Sequence, residues 1–418
     1  MTFFNEYFLL SLEHDDGECR GIVALNMRNS AIELFTAKTV ILATGGHAKM
    51  YWNRSSNAIG NSGDGQAAAL RAGIALEDME FIQFHPTGLR KSGLLVSEAA
   101  RGEGGYLLNR HGERFMAEYA PQKMELGPRD LVARSMETEI IKGNGFSSEA
   151  GSYLELDLRH LGAEAINKKL PQIRELSLHF EGIDPVLEPI PVRPTAHYSM
   201  GGIATDMART AIKGVFAIGE CACVSVHGAN RLGGNSLLDI LVFGKQAGQD
   251  AAEDAAQRPY RPPHPEARRR AVKEIKALLN PEKNYERYGI IRSELGTTMG
   301  NKLGIYRTEQ QMRQAVEEIR ALRERFQRVR LFDSGSVFNT NLMQILELMN
   351  MLDLAQCVAH TALARQESRG SHYREDFPRR DDEQWHAHSL CTLQHTGEIS
   401  LSRKPVTMGA YPLEARSY

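Results

Sequence analysis

Between Thr39 and Gly46 the chain reads TVILATGG, an apolar and partly β-branched run of strand length that ends on paired glycines. A continuous apolar strand of this kind needs cover on both faces, so it belongs to a parallel sheet packed under helices. The glycines let backbone approach a ligand at the strand's carboxyl end. Close behind, NSGDGQAAALRAG supplies a Gly-Asp-Gly turn, an alanine-rich helix and a stop at Gly73. A helix start beside a strand end is where α/β proteins place nucleotide phosphate or ribose. The pair predicts an α/β domain, while glycine turns taken alone are more often plain turns.

Around this core the chain changes character several times. EYFLLSLEHDDGECRGIVALNM predicts two strands about an Asp-Asp-Gly turn, and AIELFTAKTVILATGG a third strand feeding a buried one. From about residue 79 to 197, HPTG, RGEGGYLLNRHGERFM, MELGPRD and YLELDLRHLG show few long periodic segments. That pattern predicts an inserted, loop-rich α+β domain. AIKGVFAIGE then returns to the strand-and-glycine style, and HGANRLGGNSLLD leads into a helix that runs through GKQAGQDAAEDAA.

QRPYRPPHPE, at 257–266, is a proline-rich linker, and helical patterns follow it. Met312, Val316, Ile319, Leu322 and Phe326 recur at spacings of three and four, giving one apolar face, and NLMQILELMNMLDLAQCVAHTALARQ predicts a longer apolar helix. Both suit a helical bundle that uses these stripes as core. From Glu367 the chain is charged and aromatic, and Tyr373, Phe377 and Trp385 suit either a docking rim or a solvated tail.

The 418 residues suffice for two or three domains. A net charge of −2 with dispersed basic residues gives no case for nucleic acid. Five scattered cysteines make neither a disulfide framework nor a structural zinc site, and Cys221 and Cys223 in an apolar stretch predict buried thiols. No metal site is expected. The N-terminus lacks a basic region before its apolar residues, and no apolar run approaches the ~18–20 residues of a membrane span.

Five stretches carry chemistry. FHPTGL places His85 before a proline; LLVSEAARGEGG brings Ser97, Glu98 and Arg101 close along the chain. LGPRD supplies Arg129, RPTAHYSMGG supplies His197, and HGANRLGGNSLLD supplies Arg231. Arginine offers a planar fork for carboxylates, and histidine and serine add single donors, so the set suits a small dicarboxylate. Any one of these residues reads as a surface ion pair or a turn filler. Together they point to a site.

The segments QFHPTGL, SEAARGEGGYLLN, ELGPRD, PTAHYSMGG, GECACVSVHGANRLGGNSLLD and ESRGSHYREDFPRRDD resemble, in unbroken order from about 35 to 385, the flavoprotein subunit of succinate dehydrogenase and fumarate reductase. L-aspartate oxidase shares most of them. The resemblance implies bound FAD, a capping domain over the flavin, and hydride exchange between flavin N5 and a C4 dicarboxylate, succinate or fumarate. It implies His85, Ser97, His197 and Arg231 as substrate ligands, Arg129 as proton shuttle, and Glu98 and Arg101 as the relay behind it. For FAD it implies Ala43, Thr44, Gly45, Gly46, Asp64, Glu220, Ser236 and Leu237.

The fold expected is α/β plus an α+β capping domain plus a C-terminal helical bundle. The FAD-binding, Rossmann-like domain is partial, over 1–78 and 198–256, with the cap at 79–197, the helical domain at 262–366 and a C-terminal domain or tail at 367–418. Family members open on a G-x-G-x-x-G unit and a histidine that commonly holds FAD covalently. Neither occurs in this sequence, which predicts that the chain corresponds to the C-terminal portion of such a flavoprotein. The partners implied are an iron-sulfur subunit and, through it, membrane anchors on the cytoplasmic side of the inner membrane. The other readings are L-aspartate oxidase, and an inactive remnant serving as an interaction module.

Overall fold

Asp15 and Glu18 face each other across a two-residue corner in which Asp16 and Gly17 both have positive φ, 50° and 72°. Two left-handed residues in succession match the twist of the strands they join, so the Asp-Asp-Gly signal closes a tight hairpin. The strands Tyr7–Asp15, Glu18–Asn26 and Ala31–Thr36 form an antiparallel meander in that order. Gly21 has φ +134°, and a Cβ there would lie 1.9 Å from the carbonyl oxygen of Phe35, so only glycine permits this close approach.

The computed structural model describes residues 1–279, 285–410 and 412–414. It contains two units. One comprises Met1–Trp52, Ile59–Ile82 and Tyr198–Val406; the other comprises Asn53–Ala58, Gln83–His197 and Thr407–Tyr418.

In the first unit Val40–Leu42 pairs in parallel with Val215–Ala217, with Val40 opposite Val215. The helix Asn235–Gln257 packs on both strands, and Ala247 and Ala251 meet Phe216. The sequence predicts a strand buried on both faces. Instead Leu42 is buried and Ile41 is 39% exposed, because the described sheet has two strands and this helix covers one face. The first turns of the helix also leave Leu237, Leu238, Leu241 and Val242 at least 60% exposed.

A second sheet of this unit has the order Ala222–Cys223, Gly202–Ala204, Leu76–Glu77, Ala387–Leu393, Ile399–Pro405. Cys221 and Cys223 are buried free thiols, as their apolar surroundings predict. The helices Tyr288–Lys302, Glu309–Phe326 and Thr340–Ala364 pack on one another. Thr308 and Gln311 form a reciprocal capping box at the start of the second. Its buried stripe is Met312, Ala315, Ile319, Leu322 and Phe326; Val316 stands at the stripe's edge. By length and composition Thr340–Ala364 is apolar enough to cross a membrane, but 78% of its apolar window is buried within the fold.

The segment after Glu367 differs most from expectation. It folds into the strand pair Tyr306–Arg307 with Tyr373–Arg374, the short helix Asp382–Trp385 and the last two strands of the larger sheet. Its charges turn inward. Arg365 is buried and donates to Glu80 at 2.6 Å, Glu367 at 2.9 Å, and the carbonyls of Trp385 and Ala387. Trp385 is buried beneath Arg403, 3.5 Å from its ring centroid. Tyr373 and Phe377 are half-buried, so these aromatics pack inside the unit rather than forming a rim.

The second unit is built on a four-stranded sheet ordered Ile82–Leu89, Ile190–Ser199, Leu154–Asp157, Tyr106–Leu108. Leu107, Leu154, Leu156, Ile190 and Val192 fill its core against Val132 and Met136 of the helix Arg129–Ile141. Every residue of Ile82–Leu89 is buried, so histidine, glutamine and threonine on that strand are held inside the fold.

Candidate active site

Gln83, His85 and Thr87 alternate along Ile82–Leu89 and therefore share one face of the strand. The Thr87 hydroxyl donates to the Val96 carbonyl at 2.8 Å, which leaves the Thr87 N–H to donate to Nδ1 of His85 at 3.2 Å. Because Nδ1 accepts, the ring proton sits on Nε2, which makes that nitrogen a donor. The His197 ring centroid lies 5.4 Å from that of His85, in an edge-to-face arrangement. Ser56 meets Nδ1 of His197 at 2.9 Å, and Asn57 donates to the His197 carbonyl at 2.7 Å.

Arg129 opens its helix directly after Pro128, whose φ of −53° stiffens the entry. Its Nε donates to Glu98 Oε2 at 2.9 Å and its Nη1 to Gln83 Oε1 at 3.1 Å. Arg101 approaches the same Glu98 oxygen at 3.8 Å. Burial lowers the Arg101 guanidinium from its usual range, and the neighbouring Arg129 charge adds to that, against the pull of Glu98. Ser97 is exposed, and its Oγ accepts from the Ala99 N–H at 3.3 Å. The structure thus gathers Glu98, Arg101 and Arg129 into one chain of contacts and sets His85 beside His197. Gln83, Ser56, Asn57 and Thr87 complete the arrangement. Nothing in their local sequence marks them, except that Gln83 and Thr87 stand two residues on either side of His85.

Arg231 belongs to the first unit, as do all eight residues expected at FAD. Its guanidinium lies over the Tyr198 ring, 4.2 Å from the centroid, and donates to Ser236 Oγ at 3.2 Å. Ala43 and Thr44 are exposed at the carboxyl end of Val40–Leu42. Gln66 donates to the Gly45 carbonyl at 3.0 Å, and a Cβ on Gly46 would lie 2.2 Å from Glu220 Oε1. Asp64 starts its helix after Gly63 (φ +81°), and its carboxylate accepts from Ser62 at 2.8 Å and Asn350 at 2.7 Å. Leu237 is exposed.

Three groups around this turn are electrostatically costly. Burial pushes the Glu220 carboxyl up to about 7, although the Ser199 N–H and the Arg231 charge both pull it down. Burial likewise depresses His47 to about 3 and raises Asp64 above its ordinary range. His47 Nε2 and Gln66 Oε1 are buried with no partner among the described residues. Unsatisfied buried polar atoms beside a strand end where Ala43 and Thr44 are exposed suit a ligand that is itself polar and lies along backbone. FAD has that character, so these residues fit the cofactor.

A parallel strand ending in paired glycines, next to a helix that starts after a left-handed glycine, is the arrangement of dinucleotide-binding α/β proteins. Residues 1–237 match the family model described as FAD binding domain, and 292–418 match the one described as fumarate reductase flavoprotein C-term. The chain is 44% identical to the 8-methylmenaquinol:fumarate reductase flavoprotein subunit of Wolinella succinogenes, over 100% of this chain and 69% of that one. It is 42% identical to the succinate dehydrogenase flavoprotein subunit of Rickettsia bellii, over 98% of this chain and 70% of that one. A structure of Escherichia coli quinol fumarate reductase superposes with a TM-score of 0.92 at 43% identity, over 97% of this chain and 72% of that chain. The chain belongs to the succinate dehydrogenase/fumarate reductase flavoprotein-subunit family, and its cofactor is FAD.

Proposed function

We propose that the protein interconverts succinate and fumarate, as the flavoprotein subunit of a respiratory complex. His85, Ser97, His197 and Arg231 hold the two carboxylates. His85 offers Nε2–H because Thr87 occupies Nδ1, and Ser56 fixes the plane of His197. Arg129 moves the proton at the substrate carbon next to the one that exchanges hydride. Glu98 and Gln83 hold its guanidinium from two sides, and Arg101 stands behind Glu98. FAD, when bound, supplies the hydride acceptor or donor at N5. Ala43–Gly46, Asp64, Glu220, Ser236 and Leu237 hold it.

The observation that carries this reading is the Gln83–Arg129–Glu98 array. A surface arginine would need no buried glutamine on its flank, whereas a proton-moving one needs its direction fixed to within hydrogen-bond tolerance. The shuttle must lose its proton transiently, and a nearby second cation, Arg101, makes that loss less costly.

The names of two relatives, a menaquinol:fumarate reductase flavoprotein subunit and a quinol-fumarate reductase with menaquinol, support a subunit role in a quinol-linked complex. An iron-sulfur partner, membrane anchors and a peripheral place on the cytoplasmic face of the inner membrane are part of the proposal. The exposed leucines and valine of Asn235–Gln257 and the two-stranded parallel sheet support a further polypeptide portion that covers them. The test is to reconstitute the flavin-loaded protein, alone and with the N-terminal portion of a relative, and assay fumarate, succinate and L-aspartate. Turnover of the C4 diacids with none of L-aspartate is expected, and it should require Arg129. Oxidation of L-aspartate in their place, or wild-type turnover by Arg129→Ala, would overturn the proposal.

A further inference from the structure

His227 and Asp239 stand at the two ends of HGANRLGGNSLLD and meet through space, with Nε2 of the histidine 3.2 Å from Asp239 Oδ2. The same nitrogen lies 3.1 Å from the Tyr198 hydroxyl. A carboxylate oxygen only accepts, so Nε2 carries the proton and shares it between Asp239 and the phenol oxygen. Nδ1 has no partner among the described residues. The Tyr198 ring, fixed at its tip in this way, presents its face to the Arg231 guanidinium at 4.2 Å. Burial raises the phenol above its ordinary range, so the ring stays neutral beneath the cation.

Tyr198, Arg231 and Asp239 are buried, and the His227 side chain is 7% exposed. An apolar trio would fill the space beneath Arg231 without the desolvation cost of an acid, an imidazole and a phenol. The polar string adds direction. The aromatic face sets the plane of the guanidinium, and the Ser236 hydroxyl at 3.2 Å sets its rotation within that plane.

We propose that Tyr198 is the platform orienting Arg231 for a substrate carboxylate, and that His227, anchored by Asp239, is what holds the platform. All three are positioning residues. The proposal rests on the reading of Arg231 as a carboxylate ligand.

The test compares fumarate with its monomethyl ester in the flavin-loaded holoenzyme, using a reduced viologen dye as electron donor. Flavin content is measured for each variant. Tyr198→Leu removes the platform and should reduce the preference for fumarate over the monoester about tenfold, mainly through KM. Tyr198→Phe keeps the aromatic face and should restore most of that preference, within about threefold of wild type. His227→Leu should fall between the two, through a raised KM at nearly constant kcat. If Tyr198→Leu loses its flavin, the Phe and His227→Leu variants decide, and wild-type KM in both overturns the proposal. Wild-type turnover with unchanged preference in a flavin-loaded Tyr198→Leu overturns the platform alone. A flavin-loaded wild type that turns over neither fumarate nor succinate overturns the underlying reading, and the platform with it.

Discussion

The guanidinium of Arg129 is bound on opposite flanks by Glu98 Oε2 at 2.9 Å and Gln83 Oε1 at 3.1 Å. One partner is a carboxylate 42% exposed at its side chain; the other is a fully buried amide on a strand. Glu98 can therefore exchange protons with water, while Gln83 can only orient.

That asymmetry separates two variants. Gln83→Leu should lower kcat for fumarate reduction about tenfold with little change in KM, because a misdirected guanidinium costs orientation in the transition state. Glu98→Ala should cost more than Gln83→Leu, since it removes both the positioning bond and the proton donor. Steady-state kinetics on both, with flavin content as the control, checks the order.

Gly46 has no room for a methyl group, because a Cβ would lie 2.2 Å from Glu220 Oε1 and 2.5 Å from its carboxyl carbon. Gly46→Ala should displace Glu220 and cut the flavin-to-protein absorbance ratio of the purified chain severalfold. Gly73→Ala, where nothing lies within 4 Å, should leave flavin content unchanged despite its backbone strain at φ +85°.

Glu220 and Glu347 are both pushed up to about 7, chiefly by burial. A carboxyl whose folded pKa is raised binds its proton more tightly in the folded state. The stability it lends is fully present below its unfolded pKa of about 4.3 and is lost as pH climbs through about 7. Each could shift stability by on the order of 3 kcal/mol across that window, less where solvent reaches the group. Glu220→Gln and Glu347→Gln should each flatten the fall of Tm between pH 5 and pH 7.5, and thermal scans across that range measure it. An unaltered slope in the double variant would count against both assignments.

Arg365 answers two fully buried carboxylates, Glu80 and Glu367. Arg365→Met should destabilise the first unit by about 3–5 kcal/mol, because it strands Glu80 in the core, while Glu367 keeps its pair with Arg369 at 2.7 Å. Lysine should rescue little. It cannot supply the donors that also reach Trp385 and Ala387 carbonyls and Ser389 Oγ. Urea midpoints of the three proteins give the comparison.

Much of this was written along the chain. The Asp16-Gly17 corner, the stop at Gly73, the stripe through Met312, Ile319, Leu322 and Phe326, and the charged residues of the motifs are local features. They depend on backbone preference, periodicity and side-chain chemistry within a few residues. Other features were not legible. Gln83, Ser56 and Asn57 are ordinary polar residues until segments distant in sequence bring them against Arg129 and His197, and Thr87 takes its role beside His85 only once the strand is formed. The charged segment after Glu367 looked solvent-facing because composition alone does not say which acid answers which base. Arg365 finds Glu80 across 285 residues, and only the paired geometry makes burial tolerable for both. Sequence determined which groups this protein has to work with. Tertiary structure decided which of them are neighbours, because hydrogen bonds and ion pairs act over a few ångströms in space, whatever the separation along the chain.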